Sequence, residues 1–207
     1  MILKELDAFV GNPDDVVARM QADRVAYALR RHYRRSRDVD VLNGLRVGSG
    51  RTASDVDHLV VHGYGLIVVE RSAVKGRVQI DIEGQWFTAH EGVARHLDSP
   101  ITRAYVQALM LKALLDRRVR QRGFFDQLEL DVLVVVDDDC IVQWPGSGPL
   151  AEVCKRDDLA QRIEQHIGQC RDAATQAVPM TEAERRVLGD FLCRAHRPVT
   201  RRVKERQ

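Results

Sequence analysis

Between Ser54 and Ser72 the apolar residues fall on both parities. Val56, Leu59, Val60 and Val61 precede a Gly63-Tyr64 break, and Leu66, Ile67, Val68 and Val69 follow it. Strands apolar on both faces are strands covered on both faces, so this segment reads as a central hairpin. A two-residue loop with Gly first fits a type II′ turn and pairs His62 with Gly65. Counting outward, Asp57 faces Glu70 and Asp55 faces Ser72. The period of two puts all four on one side of the ribbon.

The flanking patterns supply the other elements. Asn12-Pro13-Asp14-Asp15 has the capping residues and proline of a helix start. Ala18, Ala22, Val25, Ala26, Leu29 and Tyr33 then recur at helical spacing to about residue 35. Residues 39–47 read as a strand. The loop from Gly48 to Thr52 lacks the G-K-[ST] or G-x-x-G continuation of a phosphate cradle. Arg77 to Ile82 alternates and turns at Glu83-Gly84 into Trp86-Phe87. Ser99-Pro100 opens a helix striped by Ile101, Ala104, Tyr105, Ala108, Leu111 and Leu115, on which Tyr105 and Gln107 read as packing and surface residues. Leu128 to Val136 is a buried type of strand, Asp137-Asp138-Asp139 a solvated turn, and Cys140 to Gln143 a short strand. A helix over 157–167 and a connection over 168–180 lead to Thr181-Glu182-Ala183-Glu184, a capping box that opens a last helix running to Arg194. The fold class expected is α/β, a mixed central sheet flanked by helices. Residues 1–150 would form the main domain, 151–197 a helical extension packed on it, and 198–207 a basic, disordered tail.

Composition narrows the picture. A hydrophobic fraction of 44% in 207 residues supports one substantial core. No apolar run spans a membrane, and Lys4, Glu5 and Asp7 interrupt any leader-like start, so a cytoplasmic protein without a membrane partner is expected. Cys140, Cys154, Cys170 and Cys193 show no C-x-x-C spacing and read as small core residues. Of 32 basic residues 27 are Arg, under a net charge of only +2. They gather at Arg30, Arg31, Arg34 and Arg35, at Arg117 to Arg122, and in the tail. Arg forks suit phosphate and could mark a nucleic-acid face. A GC-rich coding bias and helix-dipole compensation produce the same clusters.

The chemistry suggested first is that of the facing acids. Directly opposed β-carbons lie about 4.5–5.5 Å apart, where two carboxylates repel unless a cation bridges them. A divalent metal held by Asp57 and Glu70 is one reading and a solvated surface cluster the other. His58 and His62 fall on the opposite parity and read as packing residues.

These residues resemble a known family. Asp57-His58 on one strand, a short turn, an apolar strand ending in Glu70, and Lys75-Gly76 beyond it are similar to the nuclease-related domain (NERD), a branch of the PD-(D/E)XK nuclease superfamily. Val41-Leu42-Asn43-Gly44-Leu45, Gln85-Trp86, Ser99-Pro100-Ile101 and the Leu130-to-Val136 strand follow in the family's order, over roughly residues 15–145. The resemblance implies a restriction-endonuclease-like fold and Mg²⁺- or Mn²⁺-dependent phosphodiester hydrolysis in DNA, or in another nucleic acid, in processing or repair. Asp57 and Glu70 would be the metal ligands, joined by the backbone carbonyl of Arg71, and Asp57, Glu70, Ser72 and Lys75 the catalytic set. Asp23, Asp55 and Arg71 are accessory candidates, and Arg30, Arg31, Arg34, Arg35 and Arg51 candidate nucleic-acid contacts. One departure bears on activity. The E-x-K motif falls on Glu70-Arg71-Ser72, so Ser72 stands where the lysine that positions water and offsets phosphate charge is expected. Lys75 has the wrong parity to replace it without a bend at Ala73-Val74. Arg103 stands near where many members carry Gln. The alternative is therefore a catalytically inactive nucleic-acid-binding or protein-interaction module of the same fold.

Overall fold

The computed structural model describes residues 1–12, 15–48, 53–90, 93–118, 128–174 and 178–198. Six strands form the central sheet: β1 (Ile2–Lys4), β2 (Val39–Val47), β3 (Ser54–His62), β4 (Gly65–Arg71), β8 (Glu129–Val136) and β10 (Val153–Lys155), adjacent in that order. The β2–β3–β4 meander is antiparallel, while β4, β8 and β10 run parallel, as does β1 beside β2. The sheet is mixed, as the sequence predicts. A second sheet, β7 (Val93–Leu97), β6 (Trp86–His90), β5 (Arg77–Ile80) and β9 (Ile141–Gln143), was not expected as a separate unit.

Helices cover both faces of the central sheet. On one face, α2 (Pro100–Arg118) and α4 (Glu182–Ala195) bury Ala104, Ala108, Leu111, Leu115, Leu188 and Leu192 against Leu59, Val61, Leu66 and Val68. On the other, α1 (Val16–Tyr33) and α3 (Leu159–Ala173) pack Val25, Leu29, Tyr33 and Ile163 against Val60, Ile67 and Val69. Burying each such side chain fully is worth about 1.5–3 kcal/mol. A third cluster seats Trp86, Val78 and Ile80 against Val134 and Val136, which fixes the second sheet at the far end of β8.

Local chemistry sets several boundaries. The capping box at Thr181 is present in both directions, Glu184 N–H donating to Thr181 Oγ1 and Thr181 N–H to Glu184. The hairpin loop has the expected two residues, since His62 pairs with Gly65. Gly63, however, does not take the positive φ of a type II′ turn. Its lack of a side chain serves close approach instead: a Cβ there would lie 3.3 Å from Pro179, and Met180 N–H donates to its carbonyl. Helix α3 runs to Ala173, beyond the predicted 167. The turn after β8 is tied down rather than solvated, because Asp137 accepts from the Gln21 amide at 2.7 Å and Asp138 from Arg156. All four cysteines are free, and three are buried.

Candidate functional site

The acids sit where the two core faces part. Leu42 and Leu45 of β2 belong to the same cluster, as do Val56 and Leu59 of β3, although residues three apart on a regular strand face opposite ways. The alternation therefore resets once on each strand, at Gly44 and Asp57, the two residues left out of the β2–β3 pairing between Asn43–His58 and Leu45–Val56. Gly44 takes φ +61°, a conformation glycine reaches without strain. Asp57 is thus a pivot residue, and its carboxylate turns to the end of β4. Its Oδ2 accepts from the Arg71 backbone N–H at 3.0 Å and from Arg71 Nε at 2.9 Å, and its Oδ1 from Nη2 at 3.2 Å. Arg71 Nη1 also donates to the Ala18 carbonyl, which anchors the fork on α1.

Glu70 points to the α2 side, as Leu66 and Val68 do before it, and is 4% exposed. Arg103 Nε donates to Glu70 Oε1 at 2.6 Å, and its Nη2 forms an ion pair with the same oxygen. Nη2 also lies 3.4 Å from the Arg71 carbonyl oxygen. Glu70 Oε2 is buried with no partner at hydrogen-bond geometry. Burial and the nearby Asp57 charge push the Glu70 carboxyl up to about 7, against the pull of Arg103 and of the adjacent Gln107 amide.

Ser72 is buried. Its N–H donates to the Val135 carbonyl at 2.8 Å, and its hydroxyl accepts from Val74 N–H at 3.3 Å. Strand β4 ends at Arg71, and the chain past Ser72 leaves the sheet, turning at Gly76 with φ +72°. This departure exposes Lys75 and brings it to the same cleft as Ser72, Thr88, Asp98 and Arg103, a space of about 370 Å³.

The accessory candidates scatter. Asp55 is exposed and pairs with Arg46 across β2 at 3.2 Å. Asp23 is exposed and held by Arg19 on its own helix at 3.0 Å. It lies five residues past Ala18, hence about 140° around the helix from it. Arg30 pairs with Glu5 at 2.6 Å, and Arg31, Arg34 and Arg35 are exposed at the C-terminal end of α1. Helical rise puts Arg30 and Arg31 about 18–20 Å along the axis from Ala18, and Arg34 and Arg35 follow past the helix end, so the structure does not bring them to the acids. Arg51 lies outside the described residues. His58 and His62 are fully buried, and desolvation lowers each to about 4, as neutral packing residues require.

Two residues reach the site that the sequence reading left aside. The sequence marks Arg103 only as a departure from the family pattern and places Gln107 on the surface. Their spacing of four on one helix is the signal that they share a face. That this face looks at Glu70 depends on the α2–β4 packing.

A divalent ion would need the carboxylate oxygens of Asp57 and Glu70, with the Arg71 carbonyl as a third hard ligand. Both Asp57 oxygens are held by Arg71, while Glu70 Oε1 and the Arg71 carbonyl face Arg103. Of these oxygens Glu70 Oε2 alone faces no guanidinium, with the Gln107 amide beside the carboxylate. Among the described residues, no three His, Cys, Asp or Glu side chains are placed to share an ion. As arranged, the residues do not fit a divalent metal. Also among the described residues, no helix is long and apolar enough to cross a membrane.

Comparison with known proteins gives one finding. The sequence model described as nuclease-related domain matches residues 19–142. That span takes in most of α1, the meander, nearly all of the second sheet, α2 and β8, and with them Asp57, Glu70, Arg71, Ser72 and Arg103. No curated protein and no solved structure gives a significant match.

Proposed function

The chain belongs to the nuclease-related domain family, and from that premise we propose that it is a cytoplasmic, nuclease-derived protein that engages DNA at the Asp57–Glu70 pole with its phosphodiester hydrolysis impaired. The observation that carries this reading is Ser72. By the resemblance it stands where the motif lysine is expected, and in the fold it is buried with its hydroxyl turned to the Val74 amide. A neutral hydroxyl used in this way neither offsets charge on a pentacovalent phosphate nor activates a water. Lys75 and Arg103 still present cations at the mouth of the cleft, which suits phosphate binding. In this reading residues 1–150 form the binding domain, and 151–197 a buttress whose α4 packs on β2. The Arg30–Arg35 cluster would be a second phosphate contact, on a surface remote from the acids.

Residual cutting is the second reading, favoured by the convergence of Lys75 and Arg103 on the Ser72 cleft. Incubating linear, nicked and single-stranded DNA with the protein and Mg²⁺ or Mn²⁺ separates the two. Salt-sensitive retention of DNA without cleavage supports the first. Cleavage abolished by Asp57→Ala and by Glu70→Ala supports the second, and absence of both retention and cleavage rejects DNA as the partner.

A further inference from the structure

The acid pair carries its own counter-charge. Arg71 forks onto Asp57 through Nε and Nη2, at 2.9 and 3.2 Å. Arg103 meets Glu70 and, at 3.4 Å, the Arg71 carbonyl. Every oxygen that would be expected to ligate an ion, apart from Glu70 Oε2, thus faces a guanidinium. Formal charge gives the same result: two carboxylates and two guanidinium groups sum to zero, and a divalent ion added to them would leave an uncompensated +2 in a partly buried site. The two arginines are anchored differently. Arg71 is a strand residue tied also to the Ala18 carbonyl on α1. Arg103 reaches down from α2 with a side chain 52% exposed, and is the more readily removed of the pair.

We propose that Arg71 and Arg103 replace a divalent ion at the Asp57–Glu70 pair, and that Arg103 is the residue that excludes the ion. The site is a metal-free salt-bridge cluster built on the strands of a nuclease fold. This deepens the nuclease-derived reading above and rests on it for the identity of the acid pole. Any DNA retained by the protein is accordingly held without a metal, since the phosphates meet guanidinium and ammonium groups directly. Arg103→Gln removes the cation facing Glu70 and the Arg71 carbonyl, restores a net negative charge, and leaves a neutral amide in its place.

The test is Mn²⁺ binding to the full chain at neutral pH, read by the loss of the free-ion electron paramagnetic resonance signal and by calorimetry, with no nucleic acid present. The wild-type protein is expected to show no saturable one-to-one binding. Arg103→Gln is expected to bind Mn²⁺ at least about tenfold more tightly, and Arg103→Lys, which keeps a cation, is expected to gain nothing. Adding Glu70→Gln or Asp57→Asn to Arg103→Gln should abolish the gain. Saturable wild-type binding that Asp57→Asn removes would overturn the proposal whether or not the Arg103 variants fold, and so would a folded Arg103→Gln that gains no affinity. DNA retention in EDTA is measured separately. Its failure rejects the DNA-binding reading while leaving the metal result standing.

Discussion

Glu70→Gln should stabilise the protein at alkaline pH. The wild-type carboxyl is buried at the sheet end beside Asp57, and both effects disfavour its ionised form more than Arg103 favours it, so it titrates near 7 instead of 4.5. Between those values the folded state binds more protons than the unfolded one. Wild-type stability contributed by this group therefore falls as pH rises through the window, and the loss is complete above about 7. At roughly 1.4 kcal/mol per pH unit the gap corresponds to a liability on the order of 3 kcal/mol. Glutamine keeps an oxygen for Arg103 and removes the buried charge. The variant should therefore melt higher at pH 8.5, by about 2–4 °C for each kcal/mol recovered in a chain of this size, and the advantage should shrink toward zero at pH 4.5. The assay is urea and thermal denaturation of both proteins across that range. Contributions from titrating groups that do not touch Glu70 cancel in the difference, whereas Asp57, whose charge acts on Glu70, shifts with it as part of the same pair. A variant no more stable than wild type at pH 8.5, or a gain independent of pH, would refute the assignment of Glu70 as a strained acid.

His62, buried near Asp131, Arg185 and His166, titrates near 4, below its unfolded value of 6.5. Stability from it is present above pH 6.5 and lost as pH falls toward 4, and a carbon-13 imidazole titration showing a midpoint near 6.5 would contradict this. Gly65→Ala would place a Cβ 2.2 Å from the Glu129 carbonyl oxygen where β4 meets β8. A backbone atom cannot rotate away, so a loss of about 3 kcal/mol or more in urea denaturation is expected, and an unchanged midpoint would refute the close approach. Thr181→Ala breaks the capping box of α4 and should cost about 1 kcal/mol, with Thr181→Ser restoring most of it. Equal stability of all three proteins would show that the cap contributes nothing.

The central meander was legible because its information is local. A two-residue loop fixes the register between β3 and β4, and apolar residues on both parities announce coverage on both faces. The helix starts at Pro100 and Thr181 were likewise written in their own residues. Strands β1 and β10, with three residues each, carry no period of their own and exist through pairing with β2 and β8. β7 and the separate second sheet escaped for the same reason, since β5 pairs with β9 across more than sixty residues of chain. At the site, the pattern singles out Asp57 and Glu70, but the β3–β4 ladder runs only as far as His58 and Val69, and each acid is held by its own arginine instead of facing the other in a pair. The break in alternation at Asp57 is not marked within β3 itself and shows only beside Gly44, with φ +61°, at the same level of β2. Arg103 and Gln107 were legible as a spacing of four but not as partners of Glu70, because nothing within α2 states which strand it will cross.

Ser72 and Arg103 are better understood together than as two separate departures from a motif. A lysine two residues past Glu70 shares its side of the strand and brings a cation toward the same cleft that Arg103 enters from α2. With Ser72 in that position the strand supplies no charge, and with Arg103 on the helix the charge arrives from across the cleft, so Glu70 keeps one cationic partner in either arrangement. The location differs in its consequence. A flexible amine past the strand end can turn to a water or a phosphate, whereas the Arg103 fork lies against Glu70 and the Arg71 carbonyl and covers the oxygens that an ion would use. Ser72→Lys alone would then crowd a second cation against Glu70 while the ion's oxygens stay covered, and should leave the protein unable to cut DNA. Only with Arg103→Gln beside it would the strand regain the amine and the acids their free oxygens together, which makes the pair of changes, and neither one singly, the step back toward a working nuclease.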